Sequence, residues 1–287
     1  MKQDLLEETC IFLLRNSYTV KSLTQSCFDV LARKEDKILL LKVLEDANAI
    51  TRETAGEMSK LSSYLKASPL IIAKKAGQPL ENNVVYLRFG IVCTSPATFQ
   101  SSLQDRAPFI VCDHSGLAAL VKGAALKERR EEQGFSLQEL SRKVGVSKMM
   151  IQKYEEQRAK VSYQHAVKLY DLFGERIFHR FDVFSCHSVP EISLSSDIGR
   201  KYQDLGFKAA ETRKVPFDFI AKKDKNIILT EVGDKHHPQL EPLSRMLDAE
   251  KLVIYSKKKP RNAPSMTKKE FMEFEKAYEL ISFLKEY

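Results

Sequence analysis

Two stretches of this chain, 189 positions apart, carry the same pattern of residues, and this repeat constrains the fold more than any other feature. "CFDVLARKEDKILLLKVLED" begins at residue 27, and "PFDFIAKKDKNIILTEVGD" begins at residue 216. Aligned without a gap, residues 28–43 and 217–232 share seven identities, including the Phe-Asp pair near the start of each stretch. We infer an internal duplication, so the chain should contain two copies of one structural unit.

Each stretch predicts a β-hairpin. In the second copy, two apolar runs flank the polar turn "KKDKN", which is typical of half-buried strands joined by a short loop. The elements around the hairpins follow the same order in both copies. We expect a first helix, a hairpin at 28–44, a helix at 50–66 and a strand at 70–73, and then a helix at 196–205, a hairpin at 217–231, a helix at 239–247, a strand at 252–255 and a final helix from Thr267. This order predicts a repeated α/β layer.

The second hairpin places two carboxylates, Asp218 and Glu231, on adjacent strands. Carboxylate oxygens are suitable ligands for Mg²⁺. The hairpin resembles that of PD-(D/E)xK nucleases, in which a lysine two residues after the glutamate steadies the attacking water, and the flanks resemble the restriction-endonuclease-like fold. Here that position is Gly233, and in the first copy Lys42 and Leu44 replace the glutamate and the lysine. The resemblance implies two degenerate nuclease-like domains, with Asp218 and Glu231 as weak metal candidates.

Other side chains near this hairpin leave a nuclease open as an alternative. Lys222 or Lys235 could replace the missing lysine. His236 and His237 follow the Glu231 strand, but adjacent histidines point in different directions and usually decorate a loop. Because the lysine of the motif is absent and the first copy is degenerate, we expect no catalytic residue, no cofactor and no metal site beyond the weak candidates Asp218 and Glu231.

The middle of the chain, "LKERREEQGFSLQELSRKVGVSKMMIQKYEEQRAKVSYQHAVKLYDLFG", predicts four short helices. Ser136 with Glu139 three residues later has the spacing of a capping box, and Gly145 permits the tight turn that a helix-turn-helix needs. The expected helices are 126–133, a second after Ser136, a third at 148–156 after the N-cap Ser147, and a fourth at 163–173. On the third helix, Ile151 and Tyr154 are the expected core positions.

This segment resembles the Cro/C1-type (XRE) helix-turn-helix family over residues 123–178. The resemblance implies that the third helix enters the major groove. The residues then expected to contact DNA bases are Lys148, Met149, Gln152 and Lys153, and those expected to contact phosphates are Arg130, Arg142 and the helix N-terminus capped by Ser147. One departure is Gln157, where the family commonly has glycine.

The charge of the chain supports an anionic partner. Lys and Arg number 46 against 38 Asp and Glu, a formal net charge of +8. Residues 122–180 alone carry 13 basic against 8 acidic residues, which places most of the excess on the helix-turn-helix segment. The five cysteines are scattered and form no C-x-x-C pair, and no apolar run approaches the roughly 20 residues of a membrane span. We expect a cytoplasmic protein that does not enter a membrane.

Together these features predict an α+β multidomain chain with an all-α centre between two duplicated α/β domains. The expected domains are residues 1–121, 122–180 and 181–287. The arrangement resembles an archaeal family of helix-turn-helix transcriptional regulators, which implies a homodimeric, sequence-specific regulator that binds double-stranded DNA. A metal-dependent nuclease or junction-processing enzyme is the alternative, and an antitoxin or adaptor is a third reading. The missing lysine and the degenerate first copy favour the regulator.

Overall fold

The structure, a computed structural model, describes residues 2–113, 116–185, 194, 196–234, 237–260 and 263–286. The helices are α1 (Lys2–Arg15), α2 (Arg52–Leu65), α3 (Pro96–Leu103), α4 (Gly123–Glu132), α5 (Leu137–Val144), α6 (Lys148–Glu155), α7 (Tyr163–Phe173), α8 (Asp197–Asp204), α9 (Leu240–Met246), α10 (Lys268–Glu273) and α11 (Ala277–Lys285). The strands are β1 (Thr19–Ser22), β2 (Val30–Lys34), β3 (Lys37–Asp46), β4 (Ser68–Ala76), β5 (Gln78–Pro79), β6 (Val84–Arg88), β7 (Ile91–Thr94), β8 (Ile110–Asp113), β9 (Gly116–Ala119), β10 (Val161–Ser162), β11 (Lys208–Glu211), β12 (Phe219–Lys223), β13 (Asn226–Val232), β14 (Glu250–Tyr255) and β15 (Ser265–Thr267). Within the described residues, no helix has both the length and the apolar character needed to cross a membrane.

The chain forms two structural units, each made of segments that are distant in the sequence. The first unit contains residues 1–43, 50–69 and 184–287, and the second contains residues 44–49 and 70–183. The second unit therefore holds the four central helices, and the first unit holds both copies of the repeated hairpin. The division into three sequence domains at residues 121 and 180 stays a prediction.

Each copy of the repeat contains a three-stranded antiparallel sheet, β1-β2-β3 in the first and β11-β12-β13 in the second. The register is the same at the offset of 189: Val30 lies opposite Leu41, and Phe219 lies opposite Thr230. The left-handed backbone positions repeat as well: Ser17, Gln25 and Glu35 have φ values of 64°, 56° and 52°, and their counterparts Gly206, Lys214 and Asp224 have 80°, 57° and 55°. The predicted duplication is confirmed in the backbone.

The two copies contact each other within the first unit through helix α2 and the edge strand β11. Tyr64 Oη donates to the carbonyl of Ala209 at 2.7 Å, and Lys60 Nζ donates to the carbonyl of Glu211 at 2.8 Å. In return, Lys222 Nζ on β12 donates to the carbonyl of Tyr64 at 2.6 Å. Because a bare edge strand is open to further pairing, this helix protects β11 from it.

The second copy extends its sheet by two parallel strands, in the order β13-β14-β15. Tyr202 of α8 is fully buried below this sheet, and its Oη lies 2.6 Å from Thr230 Oγ1. Its ring contacts Phe271, with centroids 5.0 Å apart, and burial raises the pKa of its hydroxyl. The single final helix expected from Thr267 is wrong: the backbone is extended at Phe274, with ψ of 130°, so α10 ends before α11 begins.

The second unit contains a sheet in the order β4-β7-β6-β8-β9-β10. Strands β8 and β9 pair antiparallel, and β9 also pairs with β10, which directly precedes α7. Val84 and Ile110 from this sheet share one buried core with Leu126, Leu140 and Ile151 of the helices. The sheet therefore forms a platform on which the helix bundle packs.

Candidate functional site

The four central helices form where the cap and turn residues predict them. Ser136 Oγ accepts from the backbone N–H of Glu139, and Glu139 accepts from the N–H of Ser136, so the capping box is complete. These bonds hold the pKa of Glu139 below its ordinary value. Gly145 ends α5 with φ of +83°, a conformation that strains other residues. The position of the turn between α5 and α6 is therefore determined by residues within the turn itself.

Helix α6 presents two different faces. Ile151 and Tyr154 are buried in the bundle, as predicted, with 0% and 2% of their surfaces exposed. The helix begins at the N-cap Ser147, whose Oγ accepts from the N–H of Met150. The side chains expected to contact bases are exposed on the other face: Lys148, Met149, Gln152 and Lys153. An apolar side holds the helix while a polar side faces solvent, which is the arrangement that groove reading needs.

Two details of this outer face bear on base contact. Met149 exposes 65% of its surface, which is unusual for a large apolar side chain and suits contact with a thymine methyl. Gln152 Nε2 donates to Glu156 Oε1 at 3.0 Å on the same helix. Because that pair is exposed, exchanging it for a base contact costs little. Arg142 of α5 is also exposed, so its guanidinium is accessible to a phosphate.

Arg130 is buried among the helices. Its Nε lies 2.6 Å from Glu155 Oε1, and its Nη1 donates to the carbonyl of Phe135 at 2.9 Å. Only 9% of the Arg130 side chain and 10% of the Glu155 side chain are exposed. The hydrogen bond that Arg130 donates to Glu155 raises the pKa of Arg130 above its ordinary value. This ion pair ties α4 to the end of α6 and argues against the phosphate contact expected for Arg130, which stays a prediction.

The end of α6 explains the departure at residue 157. Gln157 has φ of +57°, a left-handed conformation that glycine adopts without strain. Gln157 therefore keeps the left-handed turn, although glycine would adopt this conformation with less strain. A close approach lies beside this turn, because a Cβ on Gly123 would stand 1.8 Å from the carbonyl oxygen of Glu155. Glycine at residue 123 lets α4 pack directly on the end of α6.

The carboxylates of the second copy, Asp218 and Glu231, lie at one end of the β12-β13 hairpin. Asp218 is exposed, and its Oδ2 accepts from the N–H of Val232 at 2.6 Å. Glu231 is buried, and its Oε1 accepts from the N–H of His237 at 2.7 Å. In the part of the chain that the structure describes, no three His, Cys, Asp or Glu side chains cluster as metal ligands would. His236 lies outside the described residues.

The first copy holds ammonium groups at the corresponding place. Asp29 Oδ2 accepts from the N–H of Val43 at 2.8 Å, which matches the bond of Asp218 to Val232. Its Oδ1, however, accepts from Lys42 at 3.2 Å and from Lys2 at 3.0 Å. Lys42 stands where the second copy has Glu231, and 14% of its side chain is exposed. An internal cation therefore neutralises the one carboxylate that remains from the acidic pair.

The lysines that could replace the missing catalytic lysine have other positions. Lys222 donates to the carbonyl of Tyr64 in the contact between the copies, so its ammonium group is held by the first copy. Lys235 lies outside the described residues. Sequence reasoning also missed Asp234, whose Oδ1 accepts from the N–H groups of Ser256, Lys257 and Lys258 at 2.9, 2.9 and 3.2 Å. These bonds lower the pKa of Asp234 and fix the start of a lysine-rich turn beside β13.

Comparisons with known proteins agree with this architecture. The PD-(D/E)XK superfamily domain matches residues 2–108, and the helix-turn-helix family matches residues 126–178. A relative from Methanocaldococcus jannaschii is 32% identical across 99% of this chain and 97% of its own length. Relatives from Methanothermobacter thermautotrophicus and Thermococcus kodakarensis are 35% and 29% identical, across 80% and 99% of this chain and 75% and 96% of their own lengths. All three are named "Putative HTH-type transcriptional regulatory protein". No solved structure matches the chain.

Proposed function

This chain belongs to the archaeal family of HTH-type transcriptional regulatory proteins, and from that premise we propose that it binds specific double-stranded DNA sites as a homodimer. Helix α6 reads base edges in the major groove through Lys148, Met149, Gln152 and Lys153. Arg142 and the N-terminus of α6, capped by Ser147, contact phosphates. The observation that carries the proposal is the division of α6 into a buried side and an exposed side. The buried side holds Ile151 and Tyr154, and the exposed side holds Lys148, Met149, Gln152 and Lys153.

A homodimer follows from the size of one reading helix. Four exposed side chains on an eight-residue helix contact too few base pairs to select a site among the many competing sites of a genome. Two copies related by a two-fold axis double the contacts and require an inverted repeat whose half-sites lie about 10 base pairs apart, or a multiple of that spacing.

Footprinting of the purified protein across its own genomic neighbourhood tests the proposal. We expect protection of an inverted repeat, and light scattering of the complex should give a mass of two chains of 32.8 kDa each plus the DNA. Protection of an asymmetric site by a protein that remains monomeric at micromolar concentration would contradict the homodimer. Absence of any protected site would contradict sequence-specific binding.

The assignment of base contacts predicts a loss of discrimination. Gln152→Ala and Lys148→Ala should each lose about 1 to 3 kcal/mol of preference at one base pair, because each removes donors that face a base edge. The measurement is binding to a set of single-base variants of the protected site. The matched control is Arg142→Ala, which should weaken all duplexes alike and lower the salt slope by about one. Equal losses on specific and random DNA in all three variants would contradict the assignment.

We also propose that the chain binds DNA without cutting it. Hydrolysis requires an activated water and stabilisation of the developing charge, and Gly233 offers no side chain for either. In the first copy, Lys42 occupies the place of the second carboxylate. The nuclease remains the second candidate because Asp218 and Glu231 lie on one end of a hairpin.

We therefore expect no cleavage of supercoiled, linear or branched DNA, or of RNA, in either Mg²⁺ or Mn²⁺. Glu231→Ala is the control variant, because it removes the more buried of the two carboxylates. Cleavage that requires a divalent metal and disappears in Glu231→Ala would overturn this expectation and favour the nuclease.

A further inference from the structure

A cavity of about 380 Å³ lies within the second unit, between helix α7 and the strands β6, β8 and β9. This volume falls within the range of small-molecule sites, which is roughly 300 to 1,000 Å³. Its floor is apolar and buried, since Val84, Ile110 and Ala166 expose 2%, 5% and 1% of their surfaces. None of these residues takes part in the proposed DNA contacts, so the cavity is separate from the reading face of α6.

The α7 wall of the cavity is an uncovered apolar stripe. Tyr163, Val167 and Tyr170 follow the spacing of one helix face, and each exposes more than 40% of its surface. The ring of Tyr170 stacks on that of Phe109, with centroids 5.9 Å apart and planes inclined by 9°. Phe109 in turn stacks on Phe178, at 4.7 Å. Stacking therefore holds the aromatic side chains of this wall in place.

The rim of the cavity is polar and is held in place by hydrogen bonds. Asn82 Oδ1 accepts from Ser95 Oγ at 2.8 Å, and the N–H of Asn83 donates to Thr98 Oγ1 at 2.9 Å. The N–H of Glu81 donates to Tyr86 Oη at 3.1 Å. These bonds position the loop of residues 81–83. The Glu81 carboxylate itself takes part in no ion pair seen among the described residues.

The charges of the lining restrict the ligand. Glu81 is the one ionisable acid in the lining, and the described lining residues include no Lys, Arg or His. An anionic ligand would meet a carboxylate and no cationic donor. A cation would meet the Glu81 carboxylate and the aromatic side chains of Tyr163 and Tyr170, and the face of an aromatic ring attracts cations. A flat ring would bury apolar surface against the same walls.

We infer that this cavity binds a small planar aromatic cation, and that the bound ligand is an effector of DNA binding. The second part rests on the proposed function. Helix α7 connects the two sites: Leu169, on its other side, is fully buried in the helix-turn-helix core, and Lys168 Nζ donates to the carbonyl of Val144 at the end of α5. A ligand that shifts α7 against the sheet acts directly on the turn that orients α6.

Calorimetry on the full chain tests the site with three probes of one shape. Benzamidine is a planar cation, benzamide is neutral, and benzoate is an anion. We expect benzamidine to bind at least tenfold more tightly than benzamide, and benzoate not to bind. Glu81→Gln should weaken benzamidine about tenfold and leave benzamide unchanged. Equal binding of the three probes, or an unchanged benzamidine affinity in Glu81→Gln, would overturn the site.

Two further variants separate ligand binding from other uses of this surface. Val167→Trp should fill the cavity and abolish binding of benzamidine, and Tyr163→Ala, at an exposed position, should weaken it about threefold without unfolding the protein. If Val167→Trp instead converts a dimer into a monomer, the stripe is an interface between copies and the inference is wrong.

The effector role is measured separately, as the affinity for the footprinted duplex with and without saturating benzamidine. We expect a change of at least fivefold, which Val167→Trp removes. An unchanged DNA affinity with saturated ligand would overturn the effector role. A protein that binds benzamidine as expected but no DNA would contradict the proposed function and leave the binding site supported.

Discussion

Replacing Arg130 by alanine is expected to destabilise the helix-turn-helix bundle by about 3 to 5 kcal/mol, the usual cost of removing one partner of a buried ion pair. The substitution leaves the Glu155 carboxylate with 10% of its side chain exposed and without its guanidinium partner. It also leaves the carbonyl of Phe135 without the donor at 2.9 Å. Urea denaturation followed by circular dichroism measures the loss.

The neighbouring residue provides a matched control. Arg129 pairs with Glu132 on the surface, where 38% and 51% of the two side chains are exposed. Because exposed pairs contribute little, Arg129→Ala should change the unfolding free energy by less than about 1 kcal/mol. A loss as small as this in Arg130→Ala would show that the buried pair does not support the bundle.

A double variant of Arg130 and Glu155 distinguishes a structural role of Arg130 from a phosphate contact. In the double variant Arg130→Met/Glu155→Leu, apolar side chains replace the pair, which often restores stability. We expect the folded double variant to keep the salt slope of DNA binding. A slope lower by about one at normal stability would instead show that Arg130 contacts a phosphate.

Arg130 also shows what the sequence can and cannot predict. Cap and turn residues act over three or four positions, so Ser136, Gly145 and Ser147 predict the limits of α5 and α6. The helical spacing of apolar residues, three positions apart, predicts the buried Ile151 and Tyr154. The partner of Arg130 lies 25 residues away, and no local pattern marks that pairing. From the sequence, an arginine on a charged helix is expected to be exposed, whereas in the fold Arg130 is buried beside Glu155.

In the repeated hairpins, too, local features are predicted from the sequence and long-range contacts are not. The Phe-Asp pair and the apolar pattern predict both hairpins, and the backbone repeats at every left-handed position of the first 35 residues. Strands β1 and β11 are short, four residues each, and their pattern is too brief to predict a strand. The contact of Lys2 with Asp29 joins α1 to the first hairpin across 27 positions. Its existence depends on helix packing, which the sequence pattern does not specify.

The contrast between the two copies predicts that Lys42→Glu makes the stability of the first hairpin depend on a bound divalent metal. The ammonium group of Lys42 now lies 3.2 Å from Asp29 Oδ1. Glutamate there places a second carboxylate beside Asp29, of which 8% is exposed. Without metal, we expect a loss of about 3 kcal/mol, at the lower end for a broken buried pair because Lys2 still contacts Asp29.

A divalent cation should recover part of this loss. Two carboxylates offer the hard oxygen ligands that Mn²⁺ and Mg²⁺ accept, and a ligand that binds only the folded state adds about 2.7 kcal/mol at 100 times its Kd. Thermal unfolding with and without 10 mM MnCl₂ measures the effect. All variants should also carry Glu231→Gln, so that the carboxylate pair of the second copy does not contribute.

The matched control is Lys42→Gln, which removes the ammonium group without adding a carboxylate. We expect its melting temperature to be independent of Mn²⁺, whereas that of Lys42→Glu should rise by several degrees and lose this rise when Asp29→Asn is added. Equal responses of Lys42→Glu and Lys42→Gln would mean that the hairpin cannot hold a cation, whatever residue faces Asp29. The expected difference would mean that one lysine, by placing a fixed positive charge where a metal could bind, keeps the first copy free of metal.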